Sequence, residues 1–363
     1  MSNDRPDALD LIAQSRPQQG DVPAELNDPR NYLVFDRLTS AAALDDPVSV
    51  FTTGRDGRVA ISDRDTVLGV VVGAGEPVTP EAVESELDDM RAADDNVGRD
   101  SSAYIPDWTA VSVTPPLAPG AEPKRLVRRN GTRVRPEWVI DGDNRSPYIP
   151  NSFPFSCVGR LFVWRDAATP NYSWWGTASL LHTRTIMTAS HVVPWGSSNW
   201  KALFVPGYYG SASIHGSWAA SWVTDFRGYS SHAQGDDMAV MRLHVPLGNS
   251  LGWLGFRTYS SNEQNVPKWT LPGYPWDKDA GTRPWLHSNF PIIDDDNDGA
   301  GVELEYRADT EGGQSGAPVF DPSHVVVGTH SGGEDNFGEP RQNVAAGGQA
   351  LTNLLHWARS SWP

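Results

Sequence analysis

The stretch D-T-E-G-G-Q-S-G-A-P-V-F, Asp309–Phe320, sets one serine, Ser315, among three glycines and just before a β-type run. Glycine adopts backbone conformations that other residues avoid and lets the backbone approach a neighbour closely. A loop that aims two backbone N–H groups at a developing oxyanion needs that freedom. A surface turn that happens to contain a serine is the simpler interpretation, and the rest of the chain decides between the two.

The composition favours a β-rich protein with an acidic surface. Of 363 residues, 39% are hydrophobic, and 15 Trp, 34 Gly and 29 Pro are typical of strands and turns rather than of a helical bundle. The formal net charge of −16 argues against nucleic-acid binding, because phosphate contacts need clustered Lys and Arg. No apolar run approaches the ~18 residues of a membrane helix, so we expect no membrane insertion.

The cysteine content and the N-terminus say little about the compartment. The single cysteine, Cys157, excludes an intrachain disulfide framework and a multi-cysteine zinc site, and its apolar, strand-like surroundings predict a buried structural thiol. The first residues, M-S-N-D-R-P-D-A-L-D, lack the basic and apolar regions of a secretory signal. Retention in the cell, another export route and a longer precursor all stay open.

The chain divides near residue 138 into two regions of different character. We predict that residues 1–138 form a small α+β or partly disordered N-terminal region, which is a candidate pro-segment. Its parts are a polar tail over 1–30, β-type runs over 32–72, a helix over Pro80–Ala93 and a proline-rich linker over Val113–Arg125.

Residues 139–363 contain many short apolar runs separated by Gly, Pro and Asn turns, which is typical of an all-β sandwich or barrel. Gln349–Trp362 has helical spacing and no internal Gly or Pro. We therefore expect a single helix to close an otherwise β domain.

Acyl transfer by Ser315 needs a base to take the hydroxyl proton and a carboxylate to orient that base. The base candidate is His191 in T-A-S-H, and the carboxylate candidate is Asp237 in D-D-M-A-V-M-R-L, with Asp236 as its competitor. The chain order His, Asp, Ser differs from the Ser, Asp, His order of α/β-hydrolases. In addition, Ala317 replaces the second glycine of their G-x-S-x-G motif.

Together, T-A-S-H, D-M-A-V-M-R-L and G-G-Q-S-G-A-P resemble the motifs of chymotrypsin-like serine proteases over roughly Val139 to Pro363. The resemblance implies two six-stranded-type β-barrels with a C-terminal helix. It implies Ser315 as nucleophile, His191 as base, Asp237 as its orienter, and the N–H groups of Gly313 and Ser315 as the oxyanion hole. It also implies protein or peptide substrates, a monomer, and neither a cofactor nor a metal.

A narrower resemblance is to the bacterial glutamyl endopeptidases, on Thr310 before the serine and on His330 in V-V-G-T-H. It implies that both residues bind an acidic side chain of the substrate, because a hydroxyl and an imidazole donate hydrogen bonds to a carboxylate. It also implies secretion and a mature enzyme that begins near Val139. An intact upstream domain is equally compatible with the sequence.

Two alternatives stay open at this point. D-D-D-N-D-G-A-G-V-E-L-E, Asp294–Glu305, fits the spacing of a calcium loop, but the following residues resemble a strand, so a solvated acidic turn is the competing interpretation. The rival function is a protease fold that has lost turnover and serves as a binding module, with residues 31–110 as its recognition part.

Overall fold

The computed structural model describes residues 101–107 and 137–362, apart from 141, 169–171, 196, 198, 211, 217, 230–233 and 335–339. It also describes the backbone of β1 (Val34–Phe35), β2 (Ser62–Asp63) and β3 (Thr66–Val67), which form a small sheet. The predicted tail, the helix over Pro80–Ala93 and the linker lie outside the described residues.

The first lobe is a closed barrel of six antiparallel strands. These are β5 (Val158–Trp164), β6 (Trp174–Leu180), β7 (Thr185–Thr188), β8 (Lys201–Pro206), β11 (Ser221–Gly228) and β12 (Ala239–Leu243), paired in the order β11-β12-β7-β6-β5-β8. A hairpin of β9 (Tyr208–Tyr209) and β10 (Ala212–Ser213) follows β8. Closure pairs both edges of the sheet, so no barrel strand is left as an open edge.

Strand β5 is buried at every position, because both of its faces are covered. Successive side chains of a strand point to opposite faces. Leu161 and Val163 join the main core, while Val158, Phe162 and Trp164 join a second, aromatic cluster. Cys157, just before β5, is fully buried, and burial raises the pKa of its thiol far above the usual range. The predicted buried thiol is confirmed.

The second lobe is a nine-stranded sheet. Its members are β4 (Ser146–Pro147), β13 (Gly255–Phe256), β14 (Trp269–Gly273), β15 (Trp285–Phe290), β16 (Ile292–Asp298), β17 (Gly301–Tyr306), β18 (Pro318–Phe320), β19 (Val325–Glu334) and β20 (Gln342–Gly347). The pairing order is β16-β17-β20-β19-β18-β14-β15-β4, and β13 pairs with β19 in parallel. Part of the excess over the six expected strands comes from β4 and β13, two-residue strands that the sequence pattern does not mark.

A short helix, α1 (Gly248–Leu251), links the lobes, and α2 (Gly348–Ser361) ends the chain, as predicted to within one residue at each end. The apolar face of α2 packs against β7 and β12 of the barrel and against β17, β19 and β20 of the sheet. Because it contacts both lobes, α2 fixes one against the other. Among the described residues, no helix is both long and apolar enough to cross a membrane.

One segment upstream of residue 138 also packs on the second lobe. Ser101 and Tyr104 form bridges with Phe256 and Trp253, and both backbone N–H groups donate over 2.9 Å. At least this part of the N-terminal region is therefore bonded to the larger domain.

We expect Leu354→Ala to lower the free energy of unfolding by about 2–5 kcal/mol, because Leu354 of α2 is fully buried and the change leaves a cavity. Urea denaturation followed by tryptophan fluorescence measures the loss. Ser360→Ala, on the exposed side of the same helix, is the control and is expected to stay within about 0.5 kcal/mol. Equal losses in the two variants would contradict the packing of α2.

Candidate active site

Asp237 is a buried carboxylate that lies just before β12, and both of its oxygens accept hydrogen bonds. Its Oδ2 atom lies 2.6 Å from Nδ1 of His191 and accepts from Oγ of Ser331 over 2.6 Å. Its Oδ1 atom accepts from the backbone N–H of His191 over 2.9 Å. The carboxylate thus holds both the ring and the backbone of His191.

His191 lies in a single turn of 3-10 helix, Ser190–Val192, that follows β7. The hydroxyl of Ser190 donates a hydrogen bond to the carbonyl of Tyr229, and this bond holds the turn in place. The imidazole keeps 29% of its surface exposed, whereas Asp237 behind it is buried. When Nδ1–H donates to Asp237, the lone pair of the imidazole lies on Nε2, the nitrogen on the opposite side of the ring from Nδ1.

Asp236, the competing carboxylate, points elsewhere and has a different use. Its Oδ1 atom accepts from the backbone N–H groups of Ala300 and Gly301, over 2.5 and 2.9 Å. A further bond joins the same two segments with the roles exchanged: the side chain of Asp298 in the hairpin accepts from the N–H of Gln234 in the loop over 2.6 Å. The tip of the β16–β17 hairpin is therefore bonded to the loop that carries Asp237.

These contacts also bear on the acidic stretch Asp294–Glu305. It forms the antiparallel hairpin of β16 and β17, with no helix after it, and Asp298 binds two backbone amides. Among the described residues, no group of three or more His, Cys, Asp or Glu side chains is arranged to hold a metal ion. The acidic stretch is therefore a hairpin whose tip is hydrogen-bonded to the loop that carries Asp237.

The serine loop is held against both lobes through its backbone. The N–H of Thr177, in β6, donates to the carbonyl of Ser315 over 2.9 Å, and Gly316 N–H donates to the carbonyl of His330 over 2.7 Å. Gly313 and Gly316 have φ values of 98° and 88°, which favour glycine. A Cβ on Gly313 would collide with the carbonyl of Tyr274, and one on Gly316 with β6 and β7. The glycines are thus required for close approach.

The turn leaves two backbone donors unused. Among the described residues, neither the N–H of Gly313 nor that of Ser315 finds an acceptor, although the neighbouring N–H groups of Gln314 and Gly316 do. An oxyanion hole requires two such N–H groups close to the attacking serine.

Beside Ser315 lies a buried polar pocket. His330 and Thr310 are both fully buried, and neither His330 Nε2 nor Thr310 Oγ1 has a hydrogen-bond partner within the described part of the chain. On the far side of the ring, Nδ1 of His330 lies 2.6 Å from the hydroxyl of Tyr306 and 3.1 Å from the carbonyl of Val344. The pocket therefore offers a hydroxyl and an imidazole nitrogen to an occupant.

The occupant is the carboxylate of Glu137. Ser315 Oγ donates to its Oε1 over 3.0 Å, and its Oε2 lies 3.5 Å from Nε2 of His330. The second contact is within ion-pair distance, but neither atom makes an aligned hydrogen bond. Sequence reasoning missed Glu137; its signal was an acidic residue two positions before the predicted processing point at Val139.

The residues that follow Glu137 are hydrogen-bonded to the second lobe and to the loop before Ser315. The side chain of Asn343 accepts from the N–H of Trp138 over 3.0 Å and donates to its carbonyl over 2.7 Å. The Thr310 N–H donates to the same carbonyl over 3.1 Å. Further along, Asp309 accepts from the N–H groups of Ile140 and Asn144, each over 2.7 Å.

Comparison with known proteins identifies the family of this chain. The sequence profile of the trypsin family matches residues 146–357, more than half of the chain. This chain belongs to the trypsin family of serine endopeptidases. The trypsin-like fold class, mostly β with a C-terminal helix, is confirmed.

Individual relatives point to one branch of that family. The chain is 25% identical over 240 residues to the extracellular metalloprotease of Bacillus subtilis, covering 64% of this chain and 73% of the relative. It is 29% identical over 196 residues to the glutamyl endopeptidase of Bacillus licheniformis, covering 51% of this chain and 60% of the relative, so it spans less than two thirds of that protein. The predicted resemblance to glutamyl endopeptidases is confirmed.

A solved structure of a Glu endopeptidase in complex with MPD is also similar. It is 22% identical, has a TM-score of 0.52, and the match covers 61% of this chain and all of that chain. At this identity the likeness shows the fold alone.

In this trypsin-family domain, Arg145 joins the segment after Glu137 to the serine loop. Its buried guanidinium contacts the carboxylates of Asp143 and Asp277 and donates to Oε1 of Gln314, next to Ser315, over 3.2 Å. Burial acts to lower the pKa of Arg145, but the two carboxylates hold it above its usual range. Burial likewise acts to raise the pKa of Asp143, which Arg145 and Lys278 hold below its usual range.

We expect Arg145→Ala to lower the free energy of unfolding by about 3 kcal/mol, because it removes the buried partner of two carboxylates. Urea denaturation in a Ser315→Ala background measures this without self-digestion. The matched control is Lys268→Ala, which breaks the more exposed pair with Glu263 and is expected to cost less than about 1 kcal/mol. A loss for Arg145→Ala no larger than the control's would contradict a role in holding the loop.

Proposed function

We propose that this endopeptidase cleaves through Ser315, His191 and Asp237 and prefers glutamate before the scissile bond. The observation that carries the proposal is the carboxylate of Glu137 in the buried pocket between Ser315 and His330. The carboxylate of Glu137 lies 3.5 Å from Nε2 of His330, so this site admits a carboxylate of its own chain, which supports a site for the same group of a substrate.

The proposed chemistry gives one role to each of three side chains, and the contact between Asp237 and His191 supports it. His191 Nε2 takes the proton of the Ser315 hydroxyl as the oxygen attacks the carbonyl carbon, and later returns it to the leaving amine. Asp237 keeps the imidazole in the Nδ1–H tautomer and stabilises the imidazolium that forms. The negative oxygen of the tetrahedral intermediate accepts hydrogen bonds from the N–H groups of Gly313 and Ser315.

The proposed selectivity rests on His330 and Thr310. A substrate carboxylate in the pocket accepts from Nε2–H of His330 and from the Thr310 hydroxyl, which satisfies two buried polar atoms that are otherwise unpaired. The partners of Nδ1 suit either charge state of the ring: Tyr306 O–H donates to a neutral imidazole, and the Val344 carbonyl accepts from an imidazolium. A neutral glutamine side chain gains less from both donors.

The first test is the cleavage of a mixed peptide library, read by mass spectrometry, with Ser315→Ala beside the parent. We expect cuts after Glu that disappear in Ser315→Ala. We expect His330→Ala to reduce kcat/KM for a Glu peptide by about ten- to a hundredfold, the value of a charge-assisted hydrogen bond. Its hydrolysis of a small unselective ester is expected to stay within about threefold.

Two outcomes would contradict parts of this proposal. Equal losses of peptide and ester hydrolysis in His330→Ala would remove the specificity role of His330. Library cuts that persist in Ser315→Ala would remove Ser315 as the nucleophile.

A second prediction separates the two adjacent carboxylates. Asp237→Asn is expected to lower kcat by about 10⁴-fold, because an amide in this position favours the wrong histidine tautomer. Asp236→Asn keeps an oxygen that accepts from Ala300 and Gly301, so its kcat is expected to stay within about threefold of the parent. Steady-state kinetics on the best library peptide measures both, and a similar loss in the two variants would reject the assignment of Asp237.

A further inference from the structure

Glu137 is an unusual occupant for a buried site, because its charge is only partly satisfied. Its side chain is fully buried, and Oε2 makes no hydrogen bond within the described residues. Burying an incompletely paired carboxylate is unfavourable. The contacts with Ser315 and His330 must therefore hold it in place together with the chain to which it is attached.

We propose that Glu137 is an intramolecular competitive ligand of the acid-binding pocket, which keeps the uncut chain inhibited. This inference rests on the proposed function, since it assigns Glu137 to the pocket that receives the acidic side chain of the substrate. While Glu137 is bound, a substrate carboxylate has no access to His330, and the nucleophile is engaged in a hydrogen bond to Oε1.

The contact of Glu137 with Ser315 blocks the pocket but does not place a peptide bond where Ser315 can attack it. Attack by Ser315 requires a carbonyl carbon about 3–3.5 Å from Oγ. Here the group against Oγ is the side-chain carboxylate, and the main chain turns away to Trp138, whose N–H and carbonyl are both bound to Asn343. Glu137 therefore occupies the position of the substrate without being presented as one.

Hydrogen bonds of the residues that follow Glu137 tether its side chain beside the pocket. Trp138 is bound to Asn343 and Thr310, and Ile140 and Asn144 are bound to Asp309. Tethering raises the effective concentration of a ligand to the millimolar range or above. An external substrate must compete with that concentration, which raises KM and leaves kcat unchanged.

The same anchors explain how a cut near Val139 would relieve the inhibition. Such a cut separates Glu137 and Trp138 from the contacts made by Ile140 and Asn144 with Asp309. Glu137 would keep its own contacts, those of Trp138 and the upstream bridges of Ser101 and Tyr104, but it would lose the downstream anchors at Asp309. The effective concentration of Glu137 at the pocket then falls, and substrate competes for the pocket more easily.

The experiment compares the intact chain with Glu137→Ala, Glu137→Gln and the control Asp296→Asn, which removes one exposed carboxylate from β16. Mass spectrometry before and after each assay confirms that the chain is uncut. If the pocket is free in about a tenth of molecules, Glu137→Ala lowers KM for a Glu peptide about tenfold at unchanged kcat. Glu137→Gln gives a smaller decrease, and Asp296→Asn gives none.

A binding measurement covers the case in which the intact chain is inactive or cuts itself. In a His191→Ala background, which keeps the Ser315 hydroxyl that donates to Glu137, calorimetry with N-acetylglutamate is expected to show at least tenfold tighter binding after Glu137→Ala than before, with N-acetylglutamine as the neutral control ligand. Unfolding curves of both proteins verify that the variant is folded.

The outcomes separate this inference from the proposed function. Glu137→Ala with the same KM and the same affinity for N-acetylglutamate as the intact parent overturns the inhibition, while cleavage after Glu would still support the proposed specificity. Equal affinity for N-acetylglutamate and N-acetylglutamine in every variant overturns both, because the pocket would then not select a carboxylate.

Discussion

The buried carboxylate of Asp237 is the interaction on which the arrangement of the site depends. A charge removed from water is tolerated only where several donors surround it. Asp237 receives its donors from two different parts of the fold: His191 follows β7 of the barrel, and Ser331 belongs to β19 of the second lobe. The hydrogen bonds that satisfy one charge therefore also position the two lobes around the cleft between them.

A second constraint acts on the backbone of the serine loop. The N–H of Thr177 in β6 donates to the carbonyl of Ser315, and the N–H of Gly316 donates to the carbonyl of His330 in β19. Both groups of the Ser315–Gly316 peptide are therefore hydrogen-bonded. Because β6 and the end of β7 approach Gly316 closely, there is no room for a Cβ at this position. Within the described part of the chain, the N–H groups of Gly313 and Ser315 have no acceptor. The glycines around Ser315 are thus explained by packing between lobes as much as by chemistry.

Local patterns predicted some of this and not the rest, for physical reasons. The short strands and α2 were predictable because burial on one or both faces leaves its period in the sequence. The motifs around His191, Asp237 and Ser315 were recognisable because each needs specific neighbours for its own turn. By contrast, the bond of Asp236 to the tip of the β16–β17 hairpin joins residues that are far apart in sequence. The acidic hairpin carries a periodic carboxylate pattern that fits a calcium loop equally well, and only the register of β16 on β17 distinguishes the two.

The contact of Glu137 with Ser315 and His330 also joins residues that are far apart in sequence. It shows why tethering Glu137 beside the pocket matters more than the affinity of its carboxylate. The chain has 45 acidic residues, so a pocket that selects carboxylates meets many weak competitors on its own surface. A single carboxylate with one hydrogen bond and one longer ion pair binds weakly when it is free in solution. Only a residue fastened beside the pocket gains the effective concentration that makes such a weak ligand an inhibitor. Inhibition by Glu137 would therefore depend on the anchors at Asn343 and Asp309, and one peptide cut near Val139 would remove the second of them.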